Sequence, residues 1–489
     1  MNTLIAKTLH LCALLVLTAG CAVGPDYVRP ETDTADTWSE SNEPTLSTDP
    51  AEYGPWWTVF EDPVLEQLVQ IASTENLPLQ IAAARIREAR AVLGISRGLR
   101  YPQQQQLSGT AARVRLSENA PNAAIADQAF SSYDVGFDAA WELDVWGRFQ
   151  RGIEAADADY GRALAGYDDT LVAVTAETAR AYILLRTFEA RLRLAQENVV
   201  IQSETLRIAE VRFENGAVTE LDVTQARALL RDTEALIPNL ESGIRQTKNA
   251  ISTLIGQPPS QLNELLRQKQ SIPSAPAHIA IGVPIDLLRR RPDVRMAEFQ
   301  AAAQSARIGI ATSDLYPRFS LFGSIGFATS SDGGVQSNNA DAGDLFSSDS
   351  ITYKVGPTFS WPIFNYGRLR NNVRVQDARF QQAALNYQNT VLEAAREVED
   401  ALAAYLRSQT RVGYLTDSVD NARRSVELAL VQYRQGSATY QRVLDTQRFL
   451  VRQEDQLAGT KGDVALNLVA TYKALGGGWA TEQSEGAQQ

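Results

Sequence analysis

Cysteine is almost missing from this 489-residue chain, and both copies, Cys12 and Cys21, fall within its first 21 residues. Beyond Cys21 no internal disulfide can form, so packing and hydrogen bonds alone must hold the fold. Histidine is equally scarce: His10 and His278 are the only two. That excludes the imidazole and thiolate ligand sets on which zinc and copper sites are built. Long hydrophobic runs are absent as well. Mean hydropathy is −0.22, and nothing past the first 21 residues approaches the roughly 20 apolar residues of a spanning helix. A membrane crossing therefore needs a barrel or a lipid. Positive charge is in deficit, 46 Lys and Arg against 58 Asp and Glu, net −12. An acidic balance excludes the clustered positive surface that nucleic-acid binding requires. No P-loop, nucleophile elbow or metal-ligand cluster is visible, and none of these absences favours an enzyme.

What the chain does have is a copy of itself, at an offset of 220 residues. Trp141 through Gly147-Arg148-Phe149 returns as Trp361 through Gly367-Arg368-Leu369. Val211-Arg212-Phe213-Glu214-Asn215-Gly216 returns as Val431-Gln432-Tyr433-Arg434-Gln435-Gly436, and Ile255-Gly256 as Leu475-Gly476. Upstream, Tyr101-Pro102 returns as Tyr316-Pro317 at an offset of 215. The five-residue difference falls between those prolines and the tryptophans, which marks a loop there.

Proline is absent from Asn122 to Ile237 and again after Pro362. Across the first gap, small or apolar residues step by three and four: Val174, Thr178, Ala181, Leu185, Phe188, Leu192, Ala195, Val199 and on to Ala209 and Phe213. The second copy repeats the stripe from Val391 to Tyr433. A period near 3.5 sustained over several heptads is a coiled-coil seam. It predicts a helix from about Arg148 to Glu214, roughly 100 Å long at 1.5 Å per residue. Gly216 and Gly436 end the two long helices, as residues free to turn left-handed do. Helical pattern resumes near Thr219 and Thr439, so each copy makes a long antiparallel hairpin. Pro238 should disturb the first return helix, whereas the matching place in the second copy is Ala458.

Before each tryptophan the period changes to two. Tyr133, Val135, Phe137, Ala139 and Trp141 alternate with polar residues that include Asp134 and Asp138. Phe319–Phe327 and Ile351–Trp361 alternate likewise, and a weaker strand occupies roughly Gln105–Ser117. Ten-residue segments of this kind match transmembrane barrel strands. Ser117–Phe130 and Ser330–Ser350 read as loops. Four strands cannot close a barrel, and an open edge is not tolerated in lipid. Strands from several chains are therefore needed to close one. The fold class that follows is mainly α, with long antiparallel helical hairpins and a small transmembrane β-barrel portion. The expected divisions are a signal peptide at 1–20, an N-terminal segment at 21–60 and a first helix–strand–helix repeat at 61–259. A linker at 260–282, a second repeat at 283–475 and a tail at 476–489 follow.

The N-terminus resembles a bacterial lipoprotein leader: Lys7, a short apolar run at Leu9–Leu17, then Leu17-Thr18-Ala19-Gly20-Cys21. The resemblance implies acylation of Cys21 by a diacylglycerol thioether and an N-acyl chain, with palmitate as a typical acyl group. Such anchoring is stable, at about 0.8 kcal/mol per buried methylene. Ala22 after the cysteine implies the outer membrane. The blander alternative is an ordinary secretory signal with a chance cysteine.

In combination, Pro25-Asp26-Tyr27-Val28-Arg29-Pro30, Trp141-Glu142-Leu143-Asp144-Val145-Trp146-Gly147-Arg148, Leu288-Arg289-Arg290-Arg291-Pro292-Asp293 and Val443-Leu444-Asp445-Thr446-Gln447-Arg448 resemble the TolC/OprM family of outer-membrane efflux factors. The resemblance runs from the lipobox to about Trp479. It implies a homotrimer whose 12-stranded barrel sits in the outer membrane above a periplasmic helical tunnel. It further implies docking to a periplasmic adaptor and to an inner-membrane pump, usually of the resistance-nodulation-division type, with no resident cofactor or metal. By position, the candidates for the periplasmic gate are Tyr433, Arg434, Asp445 and Arg448. The turns Gly216-Ala217-Val218-Thr219 and Gly436-Ser437-Ala438-Thr439 are the candidate adaptor contacts. Some relatives carry a second aspartate where this chain has Arg442, which favours a salt-bridge latch over a double ring of carboxylates. The competing class is an envelope-anchored structural coiled coil or adhesin, which accounts for the helices and the lipid but not for four alternating strands.

Overall fold

The computed structural model describes residues 22–32, 35–47, 54–117, 119, 129–259, 265–267, 271–276, 278–281, 289–331 and 340–479. Cys21 and its leader, parts of the 260–282 linker, and residues 480–489 lie outside the described residues, and so do parts of both strand-connecting loops. The chain divides into two compact units. One comprises residues up to Pro30 with Arg87–Arg162 and Glu298–Asn386, and the other comprises Glu31–Ile86, Ala163–Ala297 and the chain from Tyr387 onward.

The first unit carries a four-stranded antiparallel sheet made of β2 (Gln104–Arg115), β3 (Ala129–Glu142), β5 (Arg318–Ser331) and β6 (Ile351–Ser360), paired in that order. Two short strands, β1 (Leu46–Ser47) and β4 (Ile279–Ala280), pair in parallel in the other unit. The sheet register sorts the side chains by chemistry. Leu107 faces Phe137, Phe137 faces Ile325 and Ile325 faces Tyr353, one apolar row across all four strands. The next row on that face holds Gly109, Val135, Phe327 and Ile351. Rows on the other face are polar, such as Gln106, Asp138, Ser324 and Lys354. The apolar side chains are nevertheless exposed: Leu107, Ile325, Tyr353 and Val355 all stand open. Successive side chains on a strand point to opposite faces, so this sorting follows from the period-two pattern. The first loop is shorter than the composition suggests, because β3 already begins at Ala129. The second contains two 3₁₀ turns, the first closed by an Asp341–Asp344 capping box.

In the helical unit, α1 (Pro63–Glu75) starts on Asp62, whose carboxylate accepts from the Val64 and Leu65 amides. The same carboxylate accepts the buried Tyr182 hydroxyl at 2.6 Å. After α1 come α2 (Leu77–Gly98) and the long α3 (Arg148–Glu214), then α4 (Glu220–Glu234), α5 (Leu236–Leu254) and α6 (Pro292–Ser313), of which α2, α3 and α6 are each shared by the two units. Last come α7 (Arg368–Arg434), again 67 residues and likewise shared by the two units, and α8 (Tyr440–Ala474). The seam is buried or half-buried from Val174 to Ala209 and from Val391 to Tyr433, with Phe213 the exception at 44% exposed. The first return helix breaks at Ala235, while α8 passes unbroken through Ala458. Pro238 explains the difference. It has no amide to give the Glu234 carbonyl, and its ring crowds that carbonyl.

Arg291, from the Arg-Arg-Arg-Pro-Asp run, is buried and fully engaged. Its guanidinium donates to the Ala474 carbonyl at 2.6 Å, to Glu397 at 2.8 Å and to Asp293 at 2.7 Å. It thereby fastens the start of α6 to α7 and to the C-terminus of α8. Planar, forked donation of this kind is specific to arginine. Arg291→Ala should lower stability by about 1–3 kcal/mol, since it leaves the Ala474 carbonyl without its donor while the partly exposed Asp293 and Glu397 can turn to water. Arg291→Lys should recover only part of that. Denaturant titration of the purified protein checks both, and a loss from Arg291→Ala no larger than a surface substitution would refute the clamp.

Candidate functional site

Each hairpin turns on a left-handed glycine, Gly216 (φ +68°) and Gly436 (φ +74°). The closing pattern is the same in both. Ala217 N donates to Arg212 O and Gly216 N to Phe213 O; Ser437 N donates to Gln432 O and Gly436 N to Tyr433 O. These paired bonds satisfy carbonyls that the helix end would leave open. Thr219 and Thr439 then start the return helices in extended conformation, without a side-chain cap. Gly216, Ala217, Thr219, Gly436, Ser437 and Thr439 are exposed; Val218 and Ala438 are half-buried, and Val218 packs on the core behind the turn.

That core draws on all four helices at the tips: Ala209 of α3, Val223, Ala226 and Leu229 of α4, Ala429 and Tyr433 of α7, and Tyr440, Val443 and Leu444 of α8. Tyr433 sits inside it at 1% exposure, edge-on to Tyr440 at 5.5 Å. The Arg212 guanidinium stacks 4.6 Å from the Tyr433 ring centre and donates to the Tyr433 carbonyl. The Tyr433 hydroxyl reaches Asp222 at 3.4 Å. Burial, with the Asp222 charge beside it, pushes the Tyr433 hydroxyl up to about 12 against the opposing pull of Arg212, and burial raises Tyr440 as well. Both hydroxyls therefore stay protonated at any pH the cell envelope meets. The charged groups packed against this cluster are Arg212 and Asp222.

The other three gate candidates lie on the surface. Arg434, Asp445 and Arg448 are exposed. Asp445 accepts from Gln441 at 2.9 Å, and it makes no ion pair with Arg448 in its own chain. The Arg207 hydrogen bond, with Arg434 adding its charge, holds Glu204 below the usual carboxylate range. Motif positions thus divide into one packed residue, Tyr433, and three that offer charge outward. Sequence reading missed Arg212 and Asp222. The signal was in the repeat: their counterparts are Gln432 and Arg442, so charge changes between copies where the tips must differ. Farther from the tips the seam carries polar layers, Asn198–Glu454–Arg423 and the bidentate Arg191–Asp455 pair. Among the described residues, no cluster of His, Cys, Asp and Glu is arranged to hold a metal ion.

The profile of the family described as "Outer membrane efflux protein" matches residues 68–257 and 283–477. The chain belongs to that family. It is 32% identical over 487 residues to the solvent efflux pump outer membrane protein SrpC of Pseudomonas putida, covering 98% of this chain and 99% of that one. It is 30% identical over 469 residues to Nodulation protein T of Rhizobium leguminosarum bv. trifolii, covering 95% and 96%. Among solved structures, the outer-membrane channel OprN superposes with a TM-score of 0.86 at 33% identity, covering 94% of this chain and all of that one. The fold is TolC-like, and the chain is an outer-membrane efflux channel protein. The family is one of ducts, not of enzymes.

The tip geometry makes a prediction about order. Arg212→Ala removes both the carbonyl bond and the ring stack, and should speed amide exchange across Gln432–Arg442 by about tenfold, the equivalent of roughly 1.4 kcal/mol. Tyr433→Phe, which deletes only a long hydroxyl contact, should change it far less. Hydrogen-exchange mass spectrometry separates the two, and equal effects would contradict the assignment of the main contact to Arg212.

Proposed function

We propose that this chain is one of three identical subunits of an exit duct, working with a periplasmic adaptor and an inner-membrane pump of the resistance-nodulation-division type. It passes small molecules to the exterior and catalyses nothing. One observation carries the reading: the sheet presents an exposed apolar face, and among the described residues its edge strands β2 and β6 each pair with a strand on one side only. Backbone groups on such edges have no partner in lipid, so the sheet needs other copies of itself. Three copies of a four-stranded sheet supply the strands of a barrel wide enough for a water-filled lumen. The acidic composition offers nothing to a nucleic acid.

We further propose that Cys21 is acylated. Ala22 packs so closely on Gly147 that a side chain there would collide with it, Val23 donates to the Trp146 carbonyl, and Asp26 pairs with buried Arg151 at 2.7 Å. These contacts support an anchor held beside the start of α3, immediately after β3. Exposed tips Gly216–Thr219 and Gly436–Thr439 suit an adaptor. Asp445, Arg448 and Arg434 suit a gate formed between copies, since within one chain they are exposed and make no ion pair with one another.

Planar-bilayer conductance tests the duct. Wild type should conduct poorly, and Asp445→Ala with Arg448→Ala should conduct clearly more. Low conductance in both would move the gate to Tyr433, Arg434 or the first-repeat tip. No channel from folded, oligomeric protein would sink the duct. The sheet face has its own test: Ile325→Arg should cost about 2–4 kcal/mol of stability in a bilayer, while Ser324→Arg on the opposite face should cost far less. Equal costs would mean that the apolar face does not meet lipid.

A further inference from the structure

The internal repeat specifies how one copy of the chain meets the next. Within a chain, β3 is the last strand of the first repeat and β5 the first strand of the second, so the β3–β5 pair is a junction between repeats. Its lower end is built with care. Trp146 stacks on Tyr316 at 4.6 Å and donates to the Pro317 carbonyl at 2.8 Å, and Leu143 donates to the Phe319 carbonyl at 2.8 Å. The counterparts of this stacking pair are Tyr366 and Tyr101. Tyr366 is 99% exposed with a left-handed φ of +50°, and Tyr101 is 68% exposed. One repeat junction is filled and its duplicate stands empty, its two halves on opposite edges of the sheet.

Part of the bonding around the empty halves repeats that around the filled one, although Trp146 lacks the left-handed φ of Tyr366. Trp141 donates to Arg100 O and Trp361 to Leu315 O, in each case the residue before the Tyr-Pro pair. Tyr101 and Tyr316 both donate their amides three residues back, to Gly98 and Ser313. One local difference resets the register. Gln104 faces Ala140 where Arg318 faces Ser360, so the strands correspond at an offset of 214, not the 215 of the Tyr-Pro pairs. The extra residue is Gln103, whose side-chain amide bonds the Glu142 backbone on both sides, donating at 3.3 Å and accepting at 2.7 Å.

Closing three such sheets into one barrel sets β6 of one copy antiparallel to β2 of the next; we infer that this pair takes the register of β3 with β5, and that Tyr366 stacks on the second copy's Tyr101. This rests on the trimeric reading and makes it specific. Asp138 faces Ser324 within the chain, and their counterparts Thr358 and Thr110 therefore face each other between copies. Trp361 likewise faces Leu107. Parity supports this register: apolar meets apolar, whereas the Tyr-Pro offset would set the apolar row of β6 against the polar row of β2. A one-residue slip turns every side chain to the wrong face.

The chain's own shortage of thiols makes the test simple. Thr358→Cys combined with Thr110→Cys, oxidised in native membranes, should give covalently linked multimers on a non-reducing gel, with untreated and wild-type samples as thiol controls. Directly opposed antiparallel residues lie within disulfide reach. Thr358→Cys with Ser108→Cys or Ala112→Cys should cross-link several-fold less. Preferential linking to Ser108→Cys or Ala112→Cys overturns the register. A trimer by sedimentation that links through none of the pairs overturns the β6–β2 junction and leaves the duct standing, whereas a monomer takes both down. Tyr366→Ala should lower the temperature at which the multimer dissociates, and Tyr366→Trp, restoring the ring found at Trp146, should not. No change with Tyr366→Ala refutes the stacking.

Discussion

Unpaired backbone at the two edges of the sheet is the constraint on which this molecule turns. A strand edge in water can bond to solvent, but an edge in hydrocarbon strands its amides and carbonyls at several kcal/mol apiece. The sheet has two such edges, β2 and β6, and its apolar rows run through both of them. The chain therefore carries a surface that is unstable in water because it is apolar, and unstable in lipid until it is closed. Folding of the sheet and assembly with other copies become one problem. The helical unit has no such debt, since α-helices satisfy their own backbone and bury their seam internally.

The internal repeat offers a solution with few parts. A junction that already works between β3 and β5 can serve again between chains, provided both of its halves are duplicated. The duplicates are imperfect where a single chain allows it: Tyr for Trp at position 366, and Gln103 inserted before β2. Neither change alters which face a residue occupies. The remaining length difference falls in the strand-connecting loops, where the second copy has six extra residues; less the one that the first copy gains at Gln103, this leaves the net five seen in sequence.

Much of this was legible in the sequence. The bounds of α3 and α7 follow from the absence of proline and from the glycine that ends each, and neither signal depends on tertiary contacts. Strands β3, β5 and β6 announced themselves by alternation. β2 was weaker because Gln104, Gln105 and Gln106 carry no pattern and Leu107 alone marks its apolar face near that end. The slip at Gln103 was not legible, since Tyr101-Pro102 and Tyr316-Pro317 match cleanly and only the hydrogen-bonded register reveals the extra residue. Of the gate candidates, motif position named Tyr433 beside Asp445 and Arg448 without separating them, although the apolar stripe that ends on Tyr433 already placed that residue on the packed seam. Arg212 and Asp222 escaped because they lie on the other hairpin, about 210 to 220 residues away from Tyr433, and contact of that kind has no local pattern.

The division of the tip into packed and exposed residues bears on how such a duct could open. The cluster around Tyr433 and Tyr440 fixes the four helices of one chain to each other, and breaking it would expose buried aromatic surface worth several kcal/mol. Exposed ion pairs are worth about 1 kcal/mol each and fade with salt. A gate that dissolved the packed cluster would unfold its own tips at every cycle. A gate built from Arg434, Asp445 and Arg448 between copies would need only a few such weak contacts to part while each tip moved as a body. Such an energetic order, strong within a chain and weak between chains, would let an adaptor bound at the exposed turns do the work of opening with binding energy alone. It would also leave the choice of substrate elsewhere. Relatives of similar identity are named for solvent efflux and for nodulation, and a conduit closed by generic ion pairs has no feature that would tell their cargoes apart.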